Sequence, residues 1–274
     1  VANDSLYFAE NLKMTNSFFL DTDSEEGYFA KEALASLQGR PIPHHVAIIM
    51  DGNRRWARNQ TLSRTIDAVE GHWEGARCIY SVTEAAKEIG IKVLTLFGLS
   101  TENIKRSPLE VKVLMHILEQ YLKEMRPKMI EKDVKFSTIG DIELLPEGVQ
   151  YEIARTKEAT KKGTAIELVI AVNYGGKDDI KRAFVKIAEK LQKGEISKEA
   201  IDENLIARYL DTAKWPDPDL LIRTSAESRV SNFMLWQLAY SEIHVTDVLW
   251  PDFRPAHLLE AVMSYQGRQR RIGQ

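Results

Sequence analysis

The stretch His44-His45-Val46-Ala47-Ile48-Ile49-Met50-Asp51-Gly52-Asn53-Arg54-Arg55-Trp56 decides how the rest of the chain is read. Residues 46–50 form an apolar run of strand length that leads straight into an acid, a glycine, an amide and two arginines. A turn alone needs nothing beyond a pair such as Asn-Gly. A buried strand that delivers a carboxylate and two guanidinium groups to one point ends at an anion, or at an anion carried by a metal ion.

Outward from this stretch, strand and helix signals alternate. Apolar or β-rich runs predict strands over 93–99, 134–139, 165–172, 220–222 and 243–245. Helices are expected over 71–89, stopped by Gly90, and over 108–126, ended by Pro127. In the second, Leu114, Ile117, Leu118, Tyr121, Leu122 and Met125 share one face. Further helices are expected over 147–161, over 178–191 with Ile180, Phe184, Ile187, Ala188 and Leu191 on one face, and over 255–265. The pattern predicts an α/β fold: a single domain over 43–274 with a mostly parallel central sheet flanked by helices. Residues 1–42 read as a loosely docked N-terminal arm, with one helix within 27–37.

In such sheets ligands sit beyond the carboxyl ends of the strands. Four polar clusters follow strands and share that rim: 51–55, 100–106, 173–176 and 223–231. Arg54, Arg55, Arg106, Arg223 and Arg229 are suited to forked capture of phosphate oxygens. So many arginines on one rim suggest two phosphorylated groups. Two acids complete the inventory, Asp51 and Glu242, and a hard cation such as Mg2+ takes one or two carboxylates together with substrate phosphate.

Composition limits the alternatives. The 274 residues include 37 basic and 40 acidic side chains, a net charge of −3, which argues against a nucleic-acid binder. Hydrophobic residues at 44% allow a packed core. Cys78, the single cysteine, permits neither an internal disulfide nor a cysteine zinc site and reads as a buried structural thiol. No apolar run reaches the roughly 18 residues of a membrane span, so a cytoplasmic chain with at most peripheral membrane contact is expected. Neither a Walker loop nor a dinucleotide fingerprint nor a nucleophile elbow is present. His44, His45 and His244 have no zinc-ligand spacing and read as structural.

Taken together, the motifs resemble those of the cis-prenyltransferases, the undecaprenyl diphosphate synthase family. The resemblance runs through 45–56, Gly71-His72 with Gly75, Ser100-Thr101-Glu102-Asn103 with Arg106, Ile139-Gly140-Asp141 and Asn173-Tyr174-Gly175-Gly176. It continues through Arg223-Thr224, Glu227, Arg229, Ser231-Asn232-Phe233, Leu235-Trp236-Gln237, Glu242 and the segment 246–253, covering about 43–273.

It implies a Mg2+-dependent enzyme that joins isopentenyl diphosphate to an allylic diphosphate and grows the chain into an apolar tunnel between sheet and helices. By this resemblance Asp51 and Asn103 are catalytic, and Asp51 and Glu242 are linked to the metal. Gly52, Asn53, Arg54, Arg55, His72 and Arg106 belong to the allylic site, and Trp56, Arg64, Thr101 and Glu102 also bind substrate. Arg223, Arg229 and Ser231 belong to the isopentenyl site, and Ser100 and Asn103 lie near the reacting carbons. Arg271 reaches across a homodimer interface. An undecaprenyl product and a role in cell-wall lipid carrier synthesis are implied in the same way. The chain departs from the family pattern at Arg54, which stands where glycine is common. It departs also at Ala68, for which Arg64 is the candidate replacement, and at Ile104, Ser225, Ala226 and Ser228. Two other readings are a non-catalytic partner subunit, which typically lacks the Asp51-type acid, and an unrelated phosphohydrolase, for which no activated nucleophile is evident.

Overall fold

The computed structural model describes residues 27–60, 66–105 and 107–268. After a short helix α1 (Lys31–Ser36), the chain runs β1 (His45–Ile49), α2 (Asn53–Gln60), α3 (Ile66–Ile89), β2 (Val93–Ser100) and α4 (Pro108–Glu131). It continues through β3 (Val134–Ile139), α5 (Glu147–Thr160), β4 (Ile166–Tyr174), α6 (Gly176–Gln192) and α7 (Glu203–Tyr209), then β5 (Leu220–Arg223), β6 (Glu242–Val245) and α8 (Pro255–Gln266). Among the described residues the strands form one six-stranded sheet in the order β3-β4-β2-β1-β5-β6, and every pairing is parallel. The α/β expectation with a central parallel sheet is met.

Because side chains alternate along a strand, the sheet has two apolar faces. Val46, Ile48, Leu94, Leu96, Leu168, Ile170 and Ile222 pack beneath α3, α4, α5 and α8. Ala47, Ile49, Val169, Ala171 and Leu221 pack on the other face against Phe233 and Met234, with Trp215, Val230 and Leu238 at the margin. The chain leaves β1 into α2 and α3, on the first face. It leaves β5 into the Val230 to Leu238 segment, on the second. Since β1 and β5 are neighbours, their departing segments diverge and open a crevice at their carboxyl ends.

Several local expectations are corrected. The helix expected to end before Pro127 runs on to Glu131 with the proline inside it. The packing of Met125 and Met129, both in the core, outweighs one missing backbone hydrogen bond. The helix expected from residue 71 begins at Ile66, and the post-strand turn at 53–60 is itself helical. Phe184 was placed on the same face as Ile187, yet it is 70% exposed; Ile187 faces inward as expected, with Ala183 beside it. The end of the arm is tied down. Leu37 is buried in the core, and Glu88 accepts hydrogen bonds from the amides of Tyr28 (2.8 Å) and Phe29 (3.3 Å). Residues 1–26 lie outside the described residues.

Cys78 and His45 are buried, as expected. The His45 ring lies between the Pro216 carbonyl (2.7 Å from Nδ1) and the Thr95 hydroxyl (2.8 Å from Nε2), an arrangement suited to a neutral imidazole. Burial pushes its pKa down to about 4, against the opposing pull of the Pro216 carbonyl and Asp219. The unfolded chain therefore binds this proton first. The stability is fully present above the unfolded pKa and is lost as pH falls through the folded one. Linkage puts the loss between pH 7 and 4 at about 3 kcal/mol. Urea titrations should show a correspondingly shallower pH slope in His45→Gln. Equal slopes would remove His45 from this role.

Candidate active site

Asp51 leaves β1 two residues beyond Ile49, which is level with Arg223 at the end of β5. The two side chains meet across the crevice, where Asp51 Oδ2 accepts from Arg223 Nη2 at 2.6 Å. Asp51 Oδ1 accepts from the Gly52 amide at 2.8 Å. The Thr224 hydroxyl accepts from the Asp51 amide (2.8 Å) and donates to the Asp51 carbonyl (2.7 Å). The Arg223 side chain is only 4% exposed, whereas that of Asp51 is 39% exposed and faces the crevice. Arg223 Nη1 donates to the Ser231 hydroxyl (3.0 Å) and the Arg229 carbonyl (2.8 Å), while its Nε is buried without a partner among the described residues. The buried guanidinium thus sets Asp51 and Ser231 relative to each other.

The turn after Asp51 works because three glycines make room for it. Gly52 has φ +110°, and a Cβ there would sit 3.0 Å from Leu249. Asn53 then opens α2 against α3. A Cβ on Gly71 would lie 2.2 Å from the Asn53 carbonyl oxygen, and one on Gly75 would lie 2.4 Å from Asn53 Oδ1. Trp250 closes the arrangement: its amide donates to the Asp51 carbonyl (3.0 Å) and its ring nitrogen to the Gly75 carbonyl (2.7 Å). The amino end of α2, with its unpaired backbone donors, is thereby set beside Asp51, which is where an anion is favoured.

The remaining charges gather around this point. Arg55 donates to the Ser225 carbonyl (3.0 Å) and to Glu227 (3.1 Å), and Arg229 also pairs with Glu227. Glu227 is a carboxylate held between two guanidinium groups, and Arg229 first, then Arg55, keep its carboxyl below the usual range. Arg54 and His72 face Glu110 on α4. Trp56 donates to Asp252 at 2.8 Å. Along the rim, Ser100 and Asn103 exchange amide-to-side-chain hydrogen bonds of 3.1 Å. The Thr101 amide donates to the Tyr174 carbonyl (3.1 Å). Glu102 accepts from Asn232 at 2.8 Å; burial tends to raise its pKa, but Asn232 and the nearby backbone and hydroxyl donors hold it down.

Behind the turn lies an apolar cavity of about 100 Å³ between α3, α4 and the sheet. Met50, Leu114, Leu118, Ile170 and Trp250 line it, and Asn53 and His72 stand at its polar end. A larger hollow of about 520 Å³, lined by Asp202, Arg208, Trp215 and Asp217 among others, approaches the sheet from the amino end of β5 instead. None of the residues gathered around Asp51 lines it.

One expectation fails on register. Glu242 opens β6 level with Leu220, at the opposite end of the strands from Asp51, and its carboxylate takes Arg268 (2.8 Å). At ~3.3 Å per residue the two acids are too far apart along the sheet to hold one ion within a chain. Arg64, Arg106 and Arg271 lie outside the described residues. Glu110, Asn232, Trp250 and Asp252 were given no role from the sequence. For Glu110 the only signal was the Ser107-x-x-Glu110 spacing, which marks the start of a helix and nothing more.

The loop after β5 is strained. Ser225 (φ 69°) and Ala226 (φ 58°) occupy the left-handed region, at two of the positions where the chain departs from the family pattern. That conformation costs an L-residue about 1–2 kcal/mol, partly offset by the unfolded-state entropy a glycine would add. Ala226→Gly should therefore raise the unfolding free energy by roughly 0.5–1 kcal/mol in urea titration. A decrease would contradict the strain.

Known proteins resemble this chain over most of its length. The prenyltransferase family model for undecaprenyl diphosphate synthase matches residues 49–273. The isoprenyl transferase of Chlamydia abortus is 49% identical over 239 residues, 87% of this chain and 96% of that one. The isoprenyl transferase of Bacillus subtilis is 46% identical over 232 residues, 85% of this chain and 88% of that one. Among solved structures, lavandulyl diphosphate synthase from Lavandula x intermedia, crystallised with dimethylallyl diphosphate, superposes with a TM-score of 0.82 at 40% identity, covering 85% of this chain and 99% of that one. The chain belongs to the undecaprenyl diphosphate synthase family and is a prenyltransferase of the isoprenyl transferase type.

Proposed function

We propose that this prenyltransferase condenses isopentenyl diphosphate with an allylic diphosphate such as farnesyl diphosphate, forming a cis double bond in a polyprenyl diphosphate. The observation that carries this reading is the direct junction of a charged mouth with an apolar throat. Asp51, the α2 amino end, Arg55 and Arg229 gather charge at the crevice, and the apolar cavity starts at Asn53 and His72. That pairing suits a substrate with a diphosphate head and a hydrocarbon tail.

In the reaction the allylic carbon–oxygen bond breaks and diphosphate leaves as an anion. The isopentenyl double bond attacks the electron-poor carbon, a new carbon–carbon bond forms, and a proton is lost from isopentenyl diphosphate. Arg55 and the α2 amides stabilise the departing charge where it develops. Asp51 and Ser231, both held by Arg223, orient the second diphosphate. Asn103, tied to Ser100, stands on the rim beside the reacting carbons. Leu114, Leu118 and Ile170 keep water from the growing chain.

A divalent cation fits here as a companion of the substrate. Among the described residues no three His, Cys, Asp or Glu side chains cluster to hold an ion alone. Asp51 offers one partly exposed carboxylate beside the phosphate site, the donor set Mg2+ uses when substrate phosphates supply the rest. Such an ion would neutralise diphosphate charge as a Lewis acid. Glu242 could take part only from a second chain.

A homodimer with Arg271 completing the partner's site belongs to the same proposal; β6 is an edge strand, and Ile243 and Val245 on it are exposed. An undecaprenyl product serving as a cell-wall lipid carrier, and a cytoplasmic enzyme touching the membrane peripherally to release it, complete the reading. No helix among the described residues is long and apolar enough to cross a membrane. Asp51 and the Asn53-Arg55 turn are present, which disfavours the non-catalytic subunit.

Purified protein incubated with farnesyl diphosphate, labelled isopentenyl diphosphate and Mg2+ should give cis-elongated products, and a chelator should stop the reaction. Asp51→Asn should lower turnover on the order of 10²–10³-fold. The asparagine is the better test. Asp51→Ala would remove both the charge and the acceptor facing buried Arg223, at a stability cost of about 3–5 kcal/mol, whereas asparagine keeps an acceptor there. Absence of elongation by the protein alone would favour the partner-subunit reading.

A further inference from the structure

Glu110 lies in the first turn of α4, where the Ser107 hydroxyl accepts from its amide at 3.3 Å. A carboxylate there is favoured by the helix dipole alone. Two further contacts reach other helices. Glu110 Oε2 accepts from Arg54 Nη2 at 3.0 Å, and Oε1 lies 3.6 Å from His72 Nε2. One carboxylate, only 11% exposed, therefore bridges α2, α3 and α4 beside His72, which lines the apolar cavity. His72 Nε2 is buried and has no hydrogen-bond partner among the described residues, with the Glu110 carboxylate 3.6 Å away. Arg54, by contrast, is half exposed.

We propose that Glu110 is a positioning residue that serves as an internal counter-anion: it holds Arg54 and His72 at the mouth of the cavity and competes with the allylic diphosphate for Arg54. This inference rests on the reading of the rim as a diphosphate site. A half-exposed ion pair is weak and exchanges readily, whereas a guanidinium fork on phosphate oxygens is stronger. Incoming diphosphate therefore takes Arg54. Glu110 stays anchored beside it through α4 and its proximity to His72, and its charge opposes the bound anion. The carboxylate keeps the cationic turn ordered when empty and loosens the hold on diphosphate when full. The chain's Arg54, in place of the family's glycine, is what gives Glu110 a partner on α2.

The test uses inorganic pyrophosphate with Mg2+ as the probe, titrated calorimetrically into wild type, Glu110→Gln, Arg54→Gln and the double variant. Glu110→Gln should bind at least about fivefold more tightly, the size of a unit-charge interaction across a few ångströms even at the dielectric of water. Arg54→Gln should bind more weakly, and in its background Glu110→Gln should gain less than it does alone. In steady state the KM for allylic diphosphate should fall in Glu110→Gln without a rise in kcat. A role in helix stability alone would lower the melting temperature and tighten nothing. Unchanged or weaker pyrophosphate binding by Glu110→Gln, or an equal gain with and without Arg54, overturns the proposal while leaving chain elongation by wild type intact. Wild type that bound no pyrophosphate would instead overturn the diphosphate reading itself, and this inference with it.

Discussion

The ion pair between Asp51 and Arg223 joins two neighbouring strand ends at the place where their chains part to opposite faces of the sheet. Arg223 is almost wholly buried, so its charge is tolerable only because Asp51, Ser231 and the Arg229 carbonyl surround it. Asp51 remains partly exposed and is fixed on its backbone side by Thr224 and Trp250. A carboxylate so constrained needs little reorganisation to meet a charged substrate, and most of the site is arranged around it.

The supports are ordinary packing devices placed where chemistry needs them. Gly71 and Gly75 let α2 approach α3 closely enough to present its amino end. Trp250, fully buried, ties that end to the strand it follows. Left-handed residues at Ser225, Ala226, Ser231 and Asn232 bend the loop after β5 so that Arg229 and Glu227 face Arg55. Local strain of this kind persists where surrounding contacts over-determine it, and it gathers at functional sites.

Much of this was legible in the residues. Short apolar runs alternating with 3.6-period segments allowed only a covered parallel sheet, and the polar clusters after strands had to share its rim. What failed did so for definable reasons. Pro127 read as a helix end because a local rule ignores the core contacts of Met125 and Met129. Asn53 to Gln60 read as a turn because its helix is short and polar and gains its place only through the glycines of α3. Glu242 seemed a partner for Asp51 because spacing does not say which end of a strand an acid occupies; the β5–β6 register does. Glu110 was invisible because two of its partners, Arg54 and His72, are 56 and 38 residues away in the chain, and it follows Ser107 in a way that helix starts explain fully.

The central claim is that a charged crevice at Asp51 and the apolar cavity behind it form one substrate site. A crystal structure with Mg2+ and an unreactive thio-analogue of an allylic diphosphate tests it most directly. The diphosphate should lie at the amino end of α2 within reach of Arg55, with the ion on Asp51 and the hydrocarbon between Leu114, Leu118 and Ile170. A diphosphate bound elsewhere, such as the hollow beside Trp215 and Arg208, or a hydrocarbon lying outside the cavity, would contradict it.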